Sequence, residues 1–189
     1  MINLSLKSFF RKKLMHLRSE ISTEELIKLG LTVGKNFSRQ EKTLIDQSHC
    51  WLINIGDNVT LAPRVHILAH DASTKRLLGY TRIGLVNIGN NVFIGASSTV
   101  LPGVVIGDNV VVGAGSVVNR DIPSNSVAVG NPARVVCSFD DFIKRKKTEM
   151  ENAPTFDEKY TLRNPNITPE MKNEMKEALI GNGGVGYVE

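Results

Sequence analysis

The sequence predicts an all-β fold, a parallel β-helix wound from six-residue repeats, with a loop protruding from it and helical segments at both ends. Three observations predict it. First, aliphatic residues recur every six positions at Ile88, Ile94, Val100, Ile106, Val112 and Val118. With hydrophobic residues at 41% of the chain, six such positions in a row would arise by chance with a probability of roughly 0.5%. Such a period is neither helical nor the simple alternation of a half-buried strand. Second, the neighbouring positions are restricted. The residue after the aliphatic is Gly89, Gly95, Gly107 or Gly113, and the residue four after it is Val92, Ser98, Val104, Val110, Ser116 or Ile122, all small or branched. Third, residues 88–105 laid over 106–123 agree at eight of 18 positions, Ile-Gly-Asn-Asn-Val falling on Ile-Gly-Asp-Asn-Val. Three repeats therefore make one coil. Short β-branched strands joined by Gly and Asn turns, residues that tolerate positive φ, close a three-sided prism whose coils stack at about 4.8 Å with one aliphatic per repeat pointing inward.

The pattern extends upstream through Ile55, Leu61 and Ile67, and Ile55-Gly56-Asp57-Asn58 repeats the same corner. An earlier corner, Val33-Gly34-Lys35-Asn36, lies 22 residues before it, one coil plus four residues. Ile67 and Ile88 are 21 residues apart where six are expected, so about 15 residues near Asp71 to Leu85 leave the prism as a loop. Ser22 and Glu25 make a capping box for a short helix that Gly30 ends. Residues 138–152, with Asp140 and Asp141 first and Lys144 to Lys147 after, read as a charged helix. Thr168-Pro169 starts another that stops near Gly181, beyond which Asn182-Gly183-Gly184 is expected to be mobile. The expected organisation is a basic helical segment over 1–30, the β-helix over 31–137 with its loop at about 71–85, and a helical extension over 138–189.

Composition narrows the function classes. No apolar run approaches the roughly 18 residues of a bilayer-spanning helix. Lys7, Arg11, Lys12, Lys13 and Arg18 punctuate the first 20 residues, which argues against a signal peptide. Two cysteines, Cys50 and Cys137, fit neither a disulfide scaffold nor a four-ligand zinc site and favour a reducing, cytoplasmic setting. The net charge of +4 is concentrated in residues 1–20, which leaves the remainder neutral and gives no footprint for nucleic acid. Leu6, Phe9, Phe10, Leu14 and Leu17 fall near helical spacing among those cations. A basic amphipathic helix of this kind packs on a prism or makes weak contact with an anionic membrane surface, peripheral at the inner face.

Ile94-Gly95-Ala96, Val112-Gly113-Ala114-Gly115-Ser116-Val117-Val118, Asp121-Ile122-Pro123 and Gly130-Asn131-Pro132-Ala133-Arg134-Val135 resemble the hexapeptide-repeat acyltransferases, and within them the maltose, galactoside and polysaccharide O-acetyltransferase branch. The resemblance covers about residues 30–137. It implies a left-handed β-helix, an exception to the right-handed crossover rule, assembled as a homotrimer, with acetyl-CoA as donor in the groove between two prisms and a sugar or glycan hydroxyl as acceptor near the loop. It also implies that Ala96 and Ala114 contact CoA where Gly95 and Gly113 allow approach, and that Asn119, Arg120 and Arg134 meet its phosphates and adenine end.

Acetyl transfer to a hydroxyl needs a group to accept the hydroxyl proton, and imidazole titrates nearest neutral pH. His70 is the candidate base: it stands where the loop departs, in a stretch from Leu61 to Asp71 similar to the one that carries the family's catalytic histidine. His49, Asp71, Tyr80, Arg82 and Phe93 are candidate acceptor-binding residues, Phe93 standing where relatives place a larger aromatic. His66 is expected to pack at a turn, His16 to be solvated, and Cys50 to be a buried small thiol rather than an acyl carrier. No metal is expected. Three alternatives stay open: N-acetylation of an amino sugar or small xenobiotic, a zinc carbonic anhydrase on the same prism using His49, His66 and His70, and a non-catalytic trimeric scaffold.

Overall fold

A computed structural model describes residues 21–189. The basic amphipathic segment, its expected membrane contact and His16 lie outside the described residues. Among the described residues the first element is helix α1 (Thr23–Lys28), closed at its N-terminus by the reciprocal Ser22–Glu25 capping box, with Gly30 beyond it at φ 110°.

The prism then builds coil by coil. The first coil is β1 (Thr32–Val33), β2 (Ser38–Arg39) and β3 (Leu44–Ile45), and the second is β4 (Ile53–Ile55), β5 (Thr60–Leu61) and β6 (His66–Ile67). The chain then leaves as a short antiparallel hairpin, β7 (His70–Asp71) and β8 (Arg82–Ile83), tipped by helix α2 (Lys75–Leu78). It returns for a third coil of β9 (Val86–Ile88), β10 (Val92–Ile94) and β11 (Thr99–Val100), and a fourth of β12 (Val105–Ile106), β13 (Val110–Val112) and β14 (Val117–Val118). β15 (Ser126–Val129) adds one more rung, and β16 (Arg134–Ser138) folds back antiparallel on it.

Like strands of successive coils pair in parallel. They form a first face β1-β4-β9-β12, a second face β2-β5-β10-β13-β15 and a third face β3-β6-β11-β14. Ile55, Leu61, Ile67, Ile88, Ile94, Val100, Ile106, Val112 and Val118 are all 2% exposed or less, the single inward side chain per strand that the six-residue period requires. The residues four positions on line the corners inside, and Ser98 and Ser116 are as buried as the valines there. Their hydroxyls satisfy turn backbone: both donate to the Gly113 carbonyl, Ser98 Oγ accepts from Ser116 N–H and Ser116 Oγ accepts from Gly130 N–H.

The register departs from 18 residues at three places, all on the corner between the third and first faces. Val33 pairs with Ile55, Ile55 with Ile88, and Ile106 bridges Ile122. The four additional residues of the first coil make a turn that contains the 3-10 segment Cys50–Leu52, and the 15 of the second are the hairpin. The fourth coil is two residues short. Ile122 therefore does not occupy the corner position expected from counting four after Val118; it takes the inward position above Ile106, because the Asn119–Asp121 corner is too short for a full repeat.

The chain divides into two compact units, the first ending at Phe139 and the second spanning Asp140–Glu189. In the second, α3 (Phe139–Glu151) is followed by β17 (Thr155–Phe156), a 3-10 turn at Glu158–Tyr160, α4 (Pro169–Ile180) and β18 (Tyr187–Val188), which pairs in parallel with β17. Thr168 caps α4 by accepting from Met171 N–H. Asn182-Gly183-Gly184 is an ordered turn rather than a loose tail: Gly183 and Gly184 adopt positive φ, and Gly184 N–H donates to the Leu179 carbonyl at 2.7 Å, which turns the chain back to pair as β18.

Candidate active site

The corner that carries both insertions is where chemistry-bearing side chains converge. Asp46 directly follows the last strand residue of the first coil, and its side chain is 1% exposed. One carboxylate oxygen, Oδ1, accepts from the N–H groups of Ser48 and His49, which folds the four additional residues into their turn. The other, Oδ2, accepts from Ala69 N–H at 3.0 Å and pairs with His70 Nδ1. Burial alone would push this carboxyl up; the hydrogen bonds from His70 and from the Ala69 and Ser48 N–H groups outweigh it and hold the pKa below the ordinary value. An ionised, buried carboxylate therefore holds the His70 ring through a proton on Nδ1 and turns Nε2 away from it, on a side chain 35% exposed.

His49 stands beside this pair. Its ring centroid is 5.2 Å from that of His70 and 5.3 Å from that of Trp51, and Trp51, the one tryptophan of the chain, is 57% exposed. His49 Nδ1 is buried without a hydrogen-bond partner among the described residues. Cys50 points the other way, fully buried, with its thiol toward the Leu26 and Leu29 carbonyls, as expected of a structural thiol.

The hairpin places Asp71 opposite Arg82. The Asp71 carboxyl is held below its usual range by hydrogen bonds from Ser73, with the Arg82 charge adding to them. Tyr80, at 82% exposure, lies near the hairpin tip, where Thr74 donates to its carbonyl.

The remaining predicted residues lie elsewhere. Gly95, Ala96, Gly113 and Ala114 occupy the corner between the second and third faces, not the corner of His70. Ala96 is half-buried and Ala114 exposed. A Cβ on Gly95 would come within 2.5 Å of the Ala114 nitrogen, and one on Gly113 within 2.6 Å of a Val129 methyl. The next rung therefore leaves no room for a side chain at Gly95, and makes room at Gly113 only if Val129 shifts. Asn119, Arg120 and Arg134 are exposed toward the C-terminal end of the prism. Phe93 projects outward from the second face and is not part of the His70 cluster. His66 is exposed on the third face, not packed at a turn, and lines a cavity of about 330 Å³ with Lys42, Arg64, Ser97 and Thr99. Within one chain, His66 is not among the donor groups that converge beside His70.

Sequence reasoning missed Asp46 and Trp51. Asp46 had a signal: the equivalent residue of the next two coils is Leu68 and Leu101, so a carboxylate here interrupts an apolar position. Its distance of 24 residues from His70 becomes contact only because of the coil's 22-residue length.

The bacterial transferase hexapeptide family, a six-repeat motif, matches residues 86–120. Protein CapG of Staphylococcus aureus is 38% identical over 130 residues, 66% of this chain and 75% of that protein. Among solved structures, a maltose O-acetyltransferase from Clostridium difficile 630 is similar at a TM-score of 0.52 and 34% identity, covering 68% of this chain and 84% of its own. A galactoside acetyltransferase in complex with coenzyme A is similar at 0.53 and 33%, covering 76% and 86%.

Proposed function

The chain belongs to the hexapeptide-repeat acyltransferases, and from that premise we propose that it is a homotrimeric O-acetyltransferase that moves the acetyl group of acetyl-CoA to a hydroxyl of a sugar or glycan precursor. The observation that carries the reading is the buried Asp46–His70 pair at the corner where the hairpin leaves the prism. His70 Nε2 accepts the hydroxyl proton as the acceptor oxygen attacks the thioester carbonyl; the C–S bond breaks, and the imidazolium returns the proton to the departing thiolate. Acetyl-CoA and alcohol become acetyl ester and CoA thiol in one complex, with no covalent enzyme intermediate. Asp46 acts through His70, holding the tautomer and orientation and stabilising the transient positive charge.

The donor is read along the corner of Ala96 and Ala114, whose methyl groups leave backbone N–H groups within reach of a pantetheine chain, with Asn119, Arg120 and Arg134 toward its phosphates. His70 and this corner lie on different edges of one prism, so a complete site needs a neighbouring prism, which is the argument for the trimer. The left-handed winding and a reducing, cytoplasmic location, consistent with Cys50 and Cys137 standing outside any disulfide, go with the same reading. Among the described residues no helix is long and apolar enough to cross a membrane. His49, Trp51, Asp71, Tyr80 and Arg82 surround the base or follow it into the hairpin and are the acceptor side.

One observation favours a second reading. Asp46, His49 and His70 offer three donor atoms within 4.8 Å of one another, a two-histidine, one-carboxylate set. Against it, each Asp46 oxygen already accepts two hydrogen bonds, which an ion would have to displace. Thiol release from acetyl-CoA with a panel of hydroxyl and amino sugars tests the first reading, and metal analysis of the purified protein tests the second. His70→Ala is expected to lower turnover roughly 10²–10⁴-fold with folding and assembly retained; unchanged turnover would remove His70 as the base.

A further inference from the structure

The two corners that flank the second face are built from different residues. On one, Asn36, Asn58, Asn91, Asn109 and Asn125 stack rung on rung at φ 54–58°, each amide donating to the next at 2.8–3.0 Å. Asparagine suits this left-handed conformation, and the ladder uses its side chain. On the other corner the residues at positive φ are Lys42 (59°), Arg64 (61°), Ser97 (60°) and Gly115 (69°). Lysine and arginine gain nothing locally from that backbone, which is disfavoured for a residue with a long side chain. They also put two cationic residues on adjacent coils, whose backbones stack about 4.8 Å apart. Neither side chain has a hydrogen bond or ion pair among the described residues. Both line a cavity of about 320 Å³ with Gln40, Glu41, Ala96 and Ser97, and both line the adjoining cavity that His66 reaches. Glu41 is the one acidic residue there, and it is not within ion-pair distance of either cation.

A disfavoured backbone and two cations without an ion pair among the described residues, facing one open cavity, are explained if the occupant is an anion. We infer that Lys42 and Arg64 form a subsite for an anionic group, a carboxylate or phosphate, carried by the acceptor. The guanidinium supplies a planar fork for two oxygens and the ammonium a point charge beside it. The assignment to the acceptor rests on the acetyltransferase reading: the donor's phosphates are taken by Arg120 and Arg134 at the opposite end of the stack, with uncharged Ser97 and Gly115 between. The anion site itself does not depend on that reading. A uronic acid or a sugar phosphate has the right chemistry.

The test is the full chain with Lys42→Asn and Arg64→Asn together, which installs the residue of the other corner. Thermal unfolding is followed in inorganic phosphate and in sodium chloride at matched ionic strength. The wild type is expected to gain more in Tm from phosphate than from chloride, because an ion bound only by the folded state stabilises it, and the variant to lose that increment while starting from a higher Tm. An equal phosphate response in both proteins, or a variant less stable than the wild type, overturns the site. In turnover, the variant's KM for glucuronate is expected to rise at least about tenfold while KM for glucose and for acetyl-CoA stays unchanged. A rise in KM for acetyl-CoA alone reassigns the cations to the donor and overturns the acceptor subsite. Absence of thiol release with every sugar would count against the proposed function, with the phosphate comparison still deciding the anion site.

Discussion

Asp46 joins stability to chemistry. Its four hydrogen bonds hold the first-coil corner, the start of the hairpin and the His70 ring at once. Its folded pKa lies below the ordinary carboxylate value, so the stability it contributes is present above that value and lost as pH falls through the folded pKa. Asp46→Asn keeps the shape, but its NH2 must face one pair of donors, either Ala69 N–H and His70 or the N–H groups of Ser48 and His49. It is expected to cost about 1–3 kcal/mol, to flatten the acid limb of the pH–stability curve, and to lower kcat roughly 10²-fold with little change in the KM for acetyl-CoA. Urea unfolding from acid to neutral pH and a pH–rate profile check it; wild-type kcat in the variant would show that His70 needs no such partner. Trp51, half-exposed beside His49, is a built-in reporter, because its emission is the chain's whole tryptophan signal.

Each rung is defined by what the next rung permits. Gly95 is buried because the Ala114 backbone lies where its Cβ would be, and Gly34, Gly56, Gly89 and Gly107 meet the same restriction at their corners. A close contact with backbone cannot be relieved by a rotamer change, so Gly95→Ala is expected to destabilise by about 1–3 kcal/mol, read as a lower midpoint in urea at an unchanged slope. The Asn ladder is the complementary device, closing one prism corner with side-chain amides where the opposite corner is left to Lys42, Arg64, Ser97 and Gly115. The hairpin is an element of another kind. Only two residue pairs join β7 to β8, and Leu77, Leu78 and Tyr80 near its tip are at least two-thirds exposed, apolar surface suited to contact with a neighbouring prism.

At the scale of the whole molecule, the proposed base and the proposed donor corner occupy different edges of one prism, so the proposed enzyme works only as an assembly. Co-expression of a His70→Ala chain with an Ala114→Trp chain, whose bulk blocks the donor corner, tests this. Each is expected to be inactive alone, while mixed trimers, about three quarters of a random population, each carry one interface in three with an intact base and an intact corner, so that the mixture regains about a quarter of wild-type turnover. No recovery would mean that each chain holds its own site. The sequence by itself determined the winding: the six-residue period, the 18-residue coil, the 15-residue loop and His70 at its root were all legible, because one inward aliphatic per strand repeats locally and every departure from the count must leave the prism. The capping box of α1 and the buried thiol of Cys50 were legible for the same local reason. Only the tertiary structure decided what the insertions do. It brought Asp46, His49 and Trp51 to His70, seated Ile122 two residues early, ordered the turn at Gly183 and Gly184, and exposed the cationic corner. Those contacts join residues on different coils, and their geometry depends on how each irregular corner folds, which no period in the chain encodes.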